Sequence, residues 1–433
     1  PTRPAPSKPV SSGPGAIPHT NSPDPPLSPE TTPTLRITKV ESVHIAEFTN
    51  ILFVRVHTDE GLVGLGETYY TPETARSFVH EVGAPMLLGH DPRDVDAHWR
   101  RLYDATHVYG NRGNEMRAIS ALEVALWDIL GQVAGLPIYR LLGGAFRDRI
   151  RIYNTCAGPL YARGTPGVPR HESARRTDHP YEDLTAFHED AGALATDLLS
   201  EGITAMKIWP FDAYARETNG TSISLRDVER GLEPIRKIRD AVGDDIEVMM
   251  EGHGYWSLPA AARIARALEP YKPFWLEDFM KPDSPQTLAR LKQETEIPIC
   301  GSELALTRYG MRDLIEQEAV DIVMTDVTWT GGIAESRKIA SHAETYNLPF
   351  VSHDCTGPVT LLASIHLSVH CPNALIQESV RAYYRGFYAD LTTTQPRIEA
   401  GYAYPPELPG LGTKLNTDVF DREDCTIRES VDG

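Results

Sequence analysis

From residue 150 onward the chain alternates short apolar, β-rich runs with amphipathic stretches of helical period, and each apolar run closes on a polar or ionisable residue. The runs are ITAMK, IEVMME, PFWLE, IPICGSE, VDIVMTD, LPFVSH and ALIQE. They end on Lys207, Glu251, Glu277, Glu303, Asp326, His353 and Glu378. Between most of these residues lie about 25 positions, the length that one strand, one helix and two short loops consume. That rhythm predicts a (β/α) barrel whose first strand is RIRIYNTCA, near Ile150. In such a barrel the carboxyl ends of the strands face one shared bowl, so Glu251, Glu277 and Glu303 are expected to converge.

The pattern before residue 150 differs. LRITKVESVHIAEF and NILFVRVHTDE, with turn residues in GLVGLGE, read as an antiparallel sheet, and helical segments follow from Pro72 through Leu142. The stretch EMRAISALEVALWDILGQVAG puts Ile119, Leu122, Ala125 and Leu126 on one helical face. Gly135 is placed to cap its end before Pro137, while Trp127 and Asp128 read as packing and capping residues. Residues 35–149 therefore form an α+β unit, 150–380 the barrel, and 381–433, rich in Gly and Pro, a segment expected to return to the first unit. Residues 1–34 are dense in Pro, Ser and Thr, too poor in apolar side chains to repay ordering, and are expected to be a disordered tail.

Length and composition fit two domains, since 433 residues with ordinary apolar and charged fractions can bury one large core and a smaller one. A formal charge of −18 without a basic stripe argues against nucleic acid as a partner, though it says nothing about a small acidic ligand that meets a local cation. No run approaches the roughly 20 apolar residues needed to cross a bilayer. A soluble, cytoplasmic homo-oligomer that acts on a small molecule, away from membranes, is the expectation. Five cysteines without a CxxC suggest neither a disulfide framework nor a zinc ribbon, and Cys300 and Cys355 read as small buried hydrophobes. Two long inserts, LYARGTPGVPRHESARRTDHP and PFDAYARETNGTSIS, follow the first two barrel strands on the side where barrel active sites are built.

Three converging carboxylates call for a hard divalent cation such as Mg²⁺, because without one each would push up the others' pKa. Residues two apart on a strand share a face, so Lys207 is expected beside Trp209, and Glu251 beside His253, which then looks into the bowl. Asp326 and His353 end consecutive strands. Parallel neighbours lie about 4.8 Å apart, so the carboxylate can orient the imidazole and raise its basicity, giving a general base. A buried structural hydrogen bond is the other reading of that pair.

These residues resemble the enolase superfamily, and within it the mandelate racemase subgroup, over nearly all of the chain after Leu35. The resemblance is carried by ALWDILGQVAGLPIYRLLGG, FWLED around Glu277, the Asp326 strand followed by GGIAESRKIA, SHDCTGPV around His353 and the QE ending in Glu378. It implies an α/β fold, a modified TIM barrel with an N-terminal α+β capping domain, and Glu251, Glu277 and Glu303 as Mg²⁺ ligands. It implies further that His353, paired with Asp326, abstracts the proton α to a carboxylate while Lys207 and a protonated Glu378 donate to the resulting enediolate. Two departures are informative. Many subgroup members carry K-x-K on the second strand, whereas here Trp209 replaces the second Lys, which argues against a two-base racemase. The acid-x-His of EGHGYW resembles galactonate- and mannonate-type dehydratases, with His253 as the acid for a departing hydroxyl. The reading is a Mg²⁺-dependent acid-sugar dehydratase, a carbon–oxygen lyase that forms a 2-keto-3-deoxy acid. A racemase, epimerase or cycloisomerase, a non-catalytic carboxylate-binding barrel and an assembly surface are the alternatives.

Overall fold

The computed structural model describes residues 35–110, 112–163 and 180–432. The expected tail at 1–34 and most of the first insert lie outside the described residues.

The first unit is built on an antiparallel meander of β1 (Ile37–Ile45), β2 (Ile51–Thr58) and β3 (Val63–Tyr69). Its apolar face packs on the helix Asn114–Ala134, which is amphipathic as the sequence suggested, with Ile119, Leu122, Ala125 and Leu126 fully buried. Two glycines of β3 permit that approach. A Cβ on Gly66 would stand 1.8 Å from the Ala121 carbonyl oxygen, and one on Gly64 2.0 Å from that of Ala125, so neither position tolerates a side chain. Gly135 ends the helix in the left-handed conformation, at φ 64°, and donates to the Gln132 carbonyl.

The second unit is a closed barrel of eight parallel strands: β4 (Ile150–Thr155), β5 (Ala205–Ile208), β6 (Glu247–Glu251), β7 (Trp275–Glu277), β8 (Ile299–Gly301), β9 (Ile322–Asp326), β10 (Phe350–His353) and β11 (Ala374–Ser379). Each strand pairs with the next, and β11 returns to β4 through Gln377↔Ile152, Glu378↔Tyr153 and Ser379↔Asn154, so no edge is left open. Tyr153, Met249, Trp275, Cys300, Met324, Val351 and Ile376 fill the interior. Cys300 is thus the core residue expected of it.

The C-terminal segment does not go straight back to the first unit. A hairpin of β12 (Arg397–Glu399) and β13 (Tyr402–Tyr404) first pairs antiparallel with the start of β4, through Tyr402↔Arg151 and Ala403↔Ile150. It supplies backbone partners to a strand end that the barrel leaves bare, a demand that hydrophobic patterning does not register. Asp128 of the long helix then accepts from Leu411 N–H at 2.8 Å and from Leu65 N–H at 2.9 Å, tying the returning chain to β3. Finally β14 (Cys425–Val431) joins the first sheet as the outer neighbour of β1. No helix among the described residues is long and apolar enough to cross a membrane.

Candidate active site

The strand register carries the ionisable residues to one end of the barrel. Glu251 and Glu277 are register partners on β6 and β7, and Glu303 follows β8 by two residues. One ligand oxygen from each lies within 4.8 Å of the others, and all three are buried. Lys207, at the end of β5, sits among them: its ammonium bonds Glu277 Oε1, stands 2.8 Å from Glu378 Oε1 and 3.5 Å from Glu251 Oε2. Burial, with Glu251 and Glu378 nearby, drives the Glu277 carboxyl well above the usual carboxylate range in spite of Lys207. The Lys207 ammonium is held far above its ordinary pKa, because Glu277 and Glu378 outweigh its desolvation.

Asp326 and His353 are register partners on β9 and β10, and Asp326 Oδ2 lies 2.9 Å from His353 Nδ1. The second oxygen, Oδ1, accepts from Thr328 N–H at 2.8 Å and from the Thr328 hydroxyl at 2.9 Å, so the carboxylate is fully engaged. His353 Nε2 points toward Glu378 and Glu303, at 3.8 and 4.0 Å. Desolvation would depress this imidazole, but Glu378, Glu303 and Asp326 raise it to about 10.

Glu378 departs from expectation. It was expected to be protonated, as a donor, among neighbouring acids. Instead it accepts from Lys207, from the Thr155 hydroxyl and, at 2.9 Å, from Asp354 N–H. Burial alone would raise its pKa, yet Lys207 and His353 more than compensate and hold it below the usual carboxylate range. Lys207 and the His353 imidazole both stand beside it, and neither distance was readable from strand spacing.

His253 reaches the bowl by another route than strand alternation. β6 ends at Glu251, and His253 adopts a left-handed backbone at φ 47°, with its N–H and that of Gly252 both donating to Glu251 Oε1, at 2.6 and 2.9 Å. Its Nδ1 lies 2.7 Å from Asp212 Oδ2, and Asp212 and Glu251 raise the imidazole to about 9 against the cost of desolvation. Asp212 was not singled out in the sequence. It opens a short helix, Asp212–Thr218, inside the second insert, where an acid reads as an ordinary helix-start residue.

Lys207, Glu251, Glu303, His253, His353 and Glu378 share one pocket, walled by Tyr70 of the first unit and by Tyr161, Trp209, Trp329 and Cys355. Trp209 is a buried wall, with its ring 5.3 Å from Phe187 and 5.8 Å from His253. Arg117, from the long helix, lies 4.0 Å over Trp329 and 5.4 Å over Tyr70 and so fixes that side. Among the loop residues near the bowl, Tyr70 lines the pocket. Tyr109 is exposed, Arg163 pairs with Glu47 at 2.8 Å, and Arg170 lies outside the described residues.

The sequence profile of the mandelate racemase / muconate lactonizing enzyme N-terminal domain matches residues 30–143, and that of the enolase C-terminal domain-like family matches residues 190–419. D-galactonate dehydratase of Ralstonia nicotianae is 32% identical over 84% of this chain and 88% of its own length. D-xylonate dehydratase of Haloferax volcanii is 30% identical over 86% and 84%. Among solved structures, an enolase of the mandelate racemase subgroup from Agrobacterium tumefaciens is 44% identical and superposes with a TM-score of 0.81, covering 92% of this chain and 99% of that one. Barrel, acid triad and sequence agree, and the chain belongs to the enolase superfamily, in the mandelate racemase and muconate lactonizing enzyme family.

Proposed function

We propose that this protein is a Mg²⁺-dependent hydro-lyase that converts an acid sugar, an aldonate or aldarate, into a 2-keto-3-deoxy acid. The observation that carries the reading is a pair of histidine–carboxylate dyads on opposite sides of one bowl: His353–Asp326 on β10 and β9, and His253–Asp212 just beyond β6, four strands away in an eight-stranded barrel. The named activities of the galactonate, xylonate and arabinonate dehydratases among its relatives support it.

Glu251, Glu277 and Glu303 are the residues that would hold the metal. Their oxygens lie close enough together to share one ion, Glu303 Oε2 is buried without a hydrogen-bond partner, and burial, with Glu251 and Glu378 beside it, pushes the Glu277 carboxyl above the usual carboxylate range. An oxygen-only donor set suits Mg²⁺, which when bound would polarise the substrate carboxylate and offset negative charge. It would also offset the carboxylates that raise His353, favouring the neutral imidazole a base requires.

With Nδ1 engaged by Asp326, Nε2 of His353 takes the α-proton. Charge then develops on the substrate carboxylate, where Lys207 donates. Glu378 does not donate; it anchors Lys207 and the Asp354 N–H. With Nδ1 engaged by Asp212, Nε2 of His253 gives a proton to the β-hydroxyl as its C–O bond breaks, so water leaves and the enol tautomerises to the keto acid. Trp209 transfers no proton itself, so the acid on its side of the bowl is His253, which this reading spends on the leaving hydroxyl.

The test is a screen of aldonic and aldaric acids for 2-keto-acid formation, run in D₂O, with Mg²⁺ binding followed by calorimetry. Keto acid is expected only with metal present, and Glu277→Gln should weaken metal binding and activity together. Inversion of the α-carbon without keto acid would replace the reading by a racemase with His253 as second acid, and undiminished metal affinity in Glu277→Gln would remove its premise.

A further inference from the structure

Glu67 lies on β3 of the first unit, far from the bowl in sequence, and is fully buried. Its Oε2 accepts from Val359 N–H at 3.0 Å, and its Oε1 faces Gly357 N–H at 2.9 Å and the Thr360 hydroxyl at 2.6 Å. Those residues begin the helix Pro358–His370, which follows the strand bearing His353. The contacts do not stop there. Thr360 Oγ1 lies 3.0 Å from Thr328 Oγ1, which lies 2.9 Å from Asp326 Oδ1, the carboxylate whose other oxygen holds His353. A continuous line of four oxygen-bearing groups, Glu67, Thr360, Thr328 and Asp326, thus runs from the first unit to the dyad.

Counting hydrogens along the line leads to a specific conclusion. It contains three oxygen–oxygen gaps of hydrogen-bond length, and each needs one proton. Two threonine hydroxyls supply two, because a hydroxyl donates once. If both carboxylates were ionised, Thr360 would donate to Glu67, Thr328 would donate to Asp326, and the two hydroxyl oxygens would face each other at 3.0 Å with no hydrogen between them. A third proton removes the conflict. Asp326 faces an imidazole and accepts two bonds from Thr328, which favours its ionised form, whereas Glu67 makes no ion pair with any described residue. The titratable groups interacting with Glu67 are Asp326 and Asp354 from the barrel and Tyr388 from the C-terminal segment, all of the acidic kind.

We propose that Glu67 carries this third proton at neutral pH and is a positioning residue of the first unit, donating through Thr360 and Thr328 to Asp326 and thereby setting the acceptor strength with which Asp326 holds His353. Burial, the largest influence, and the Asp326 charge push the Glu67 carboxyl up to about 7 against the pull of its hydrogen bonds with Thr360, Val359 and Gly357, the direction that the count requires. A donor chain that feeds Asp326 weakens its pull on His353, since linked hydrogen bonds polarise one another by about 10–30% per bond. Removing the chain strengthens that pull and makes His353 more basic.

The experiment has two arms on the full chain. The first is an infrared difference spectrum between the protein and Glu67→Gln at neutral pH. A protonated carboxyl band lost in the variant, and moved in frequency by Thr360→Val, is the expected result; absence of any such band overturns the proposal, whatever the enzyme's substrate. Should Glu67→Gln not fold, the band shift in Thr360→Val decides alone. The second arm rests on His353 being the base. The acid limb of the pH profile for α-proton exchange should move up by roughly a few tenths of a pH unit in Thr360→Val and stay in place in Thr360→Ser, which restores the hydroxyl. Identical profiles in the two variants, with both folded, would leave the threonines a merely structural part and sink the relay. Absence of exchange in the wild type on every acid sugar would count against the dehydratase reading, while the infrared result stands by itself.

Discussion

The two histidine–carboxylate pairs have nearly the same nitrogen–oxygen distance, 2.9 Å for His353–Asp326 and 2.7 Å for His253–Asp212, and are mounted in opposite ways. The first is a property of the barrel: its members are register partners on adjacent strands, His353 is buried, and every oxygen of Asp326 has a partner. The second is a property of loops. His253 stands in a left-handed turn after its strand and is 27% exposed at the side chain, and Asp212 comes from an insert helix with its Oδ1 buried and without a hydrogen-bond partner. On the proposed reading, proton abstraction rests with the scaffold, and the acid for the leaving group with segments that can vary without disturbing the barrel.

Substitutions can break this division of labour. His353→Asn should give the largest effect, a loss of about 10⁴-fold in both α-proton exchange and dehydration, with Mg²⁺ affinity by calorimetry unchanged. Exchange that survived it would move the base elsewhere. His253→Asn is expected to lower dehydration by about 10²–10³-fold while exchange into the recovered substrate persists, separating the two dyads in one NMR experiment. Equal loss of both events would mean that His253 acts before the C–O bond breaks.

Asp212→Asn should be milder, about tenfold, and should sharpen the comparison through pH. Asp212 raises the imidazole of His253, so its removal lowers that pKa. An acid works only while protonated, and so the alkaline limb of the dehydration profile should move to lower pH. An unmoved alkaline limb would deny Asp212 its part. The smallest effect belongs to Trp209→Phe, expected to stay within about tenfold of wild type because the ring walls the pocket and transfers no proton. A larger loss in kcat would assign the indole a direct role.

What could be read in the sequence was what repeats. Strand ends in a parallel barrel recur with the βα period, so the triad, Lys207, Asp326, His353 and Glu378 were all visible there, and adjacency of β9 and β10 made the first dyad a sound expectation. What depends on a single turn was hidden. A left-handed His253 has no local signature, since nothing in EGHGYW marks the residue that leaves the strand. Asp212 resembles any acid at a helix start, and the surroundings of Glu378 are set by Lys207 and His353 side chains that only the closed barrel brings together. The line from Glu67 to Asp326 joins residues from both units, and no periodicity relates β3 to the helix after β10.

The sheet of the first unit is completed by β14, which pairs with β1 along seven residues, Lys39↔Val431 to Ile45↔Cys425, and between the two strands lies the entire barrel. On the ribosome this order has a price. At about 5–20 residues per second, roughly twenty seconds to more than a minute pass between synthesis of the two strands. Throughout that interval β1 offers a row of unpaired backbone groups to whatever extended chain is near, the kind of edge that invites pairing between nascent molecules. The cap, although made first, is finished last, and a newly made chain reaches its mature shape only when its late strand has found its early one.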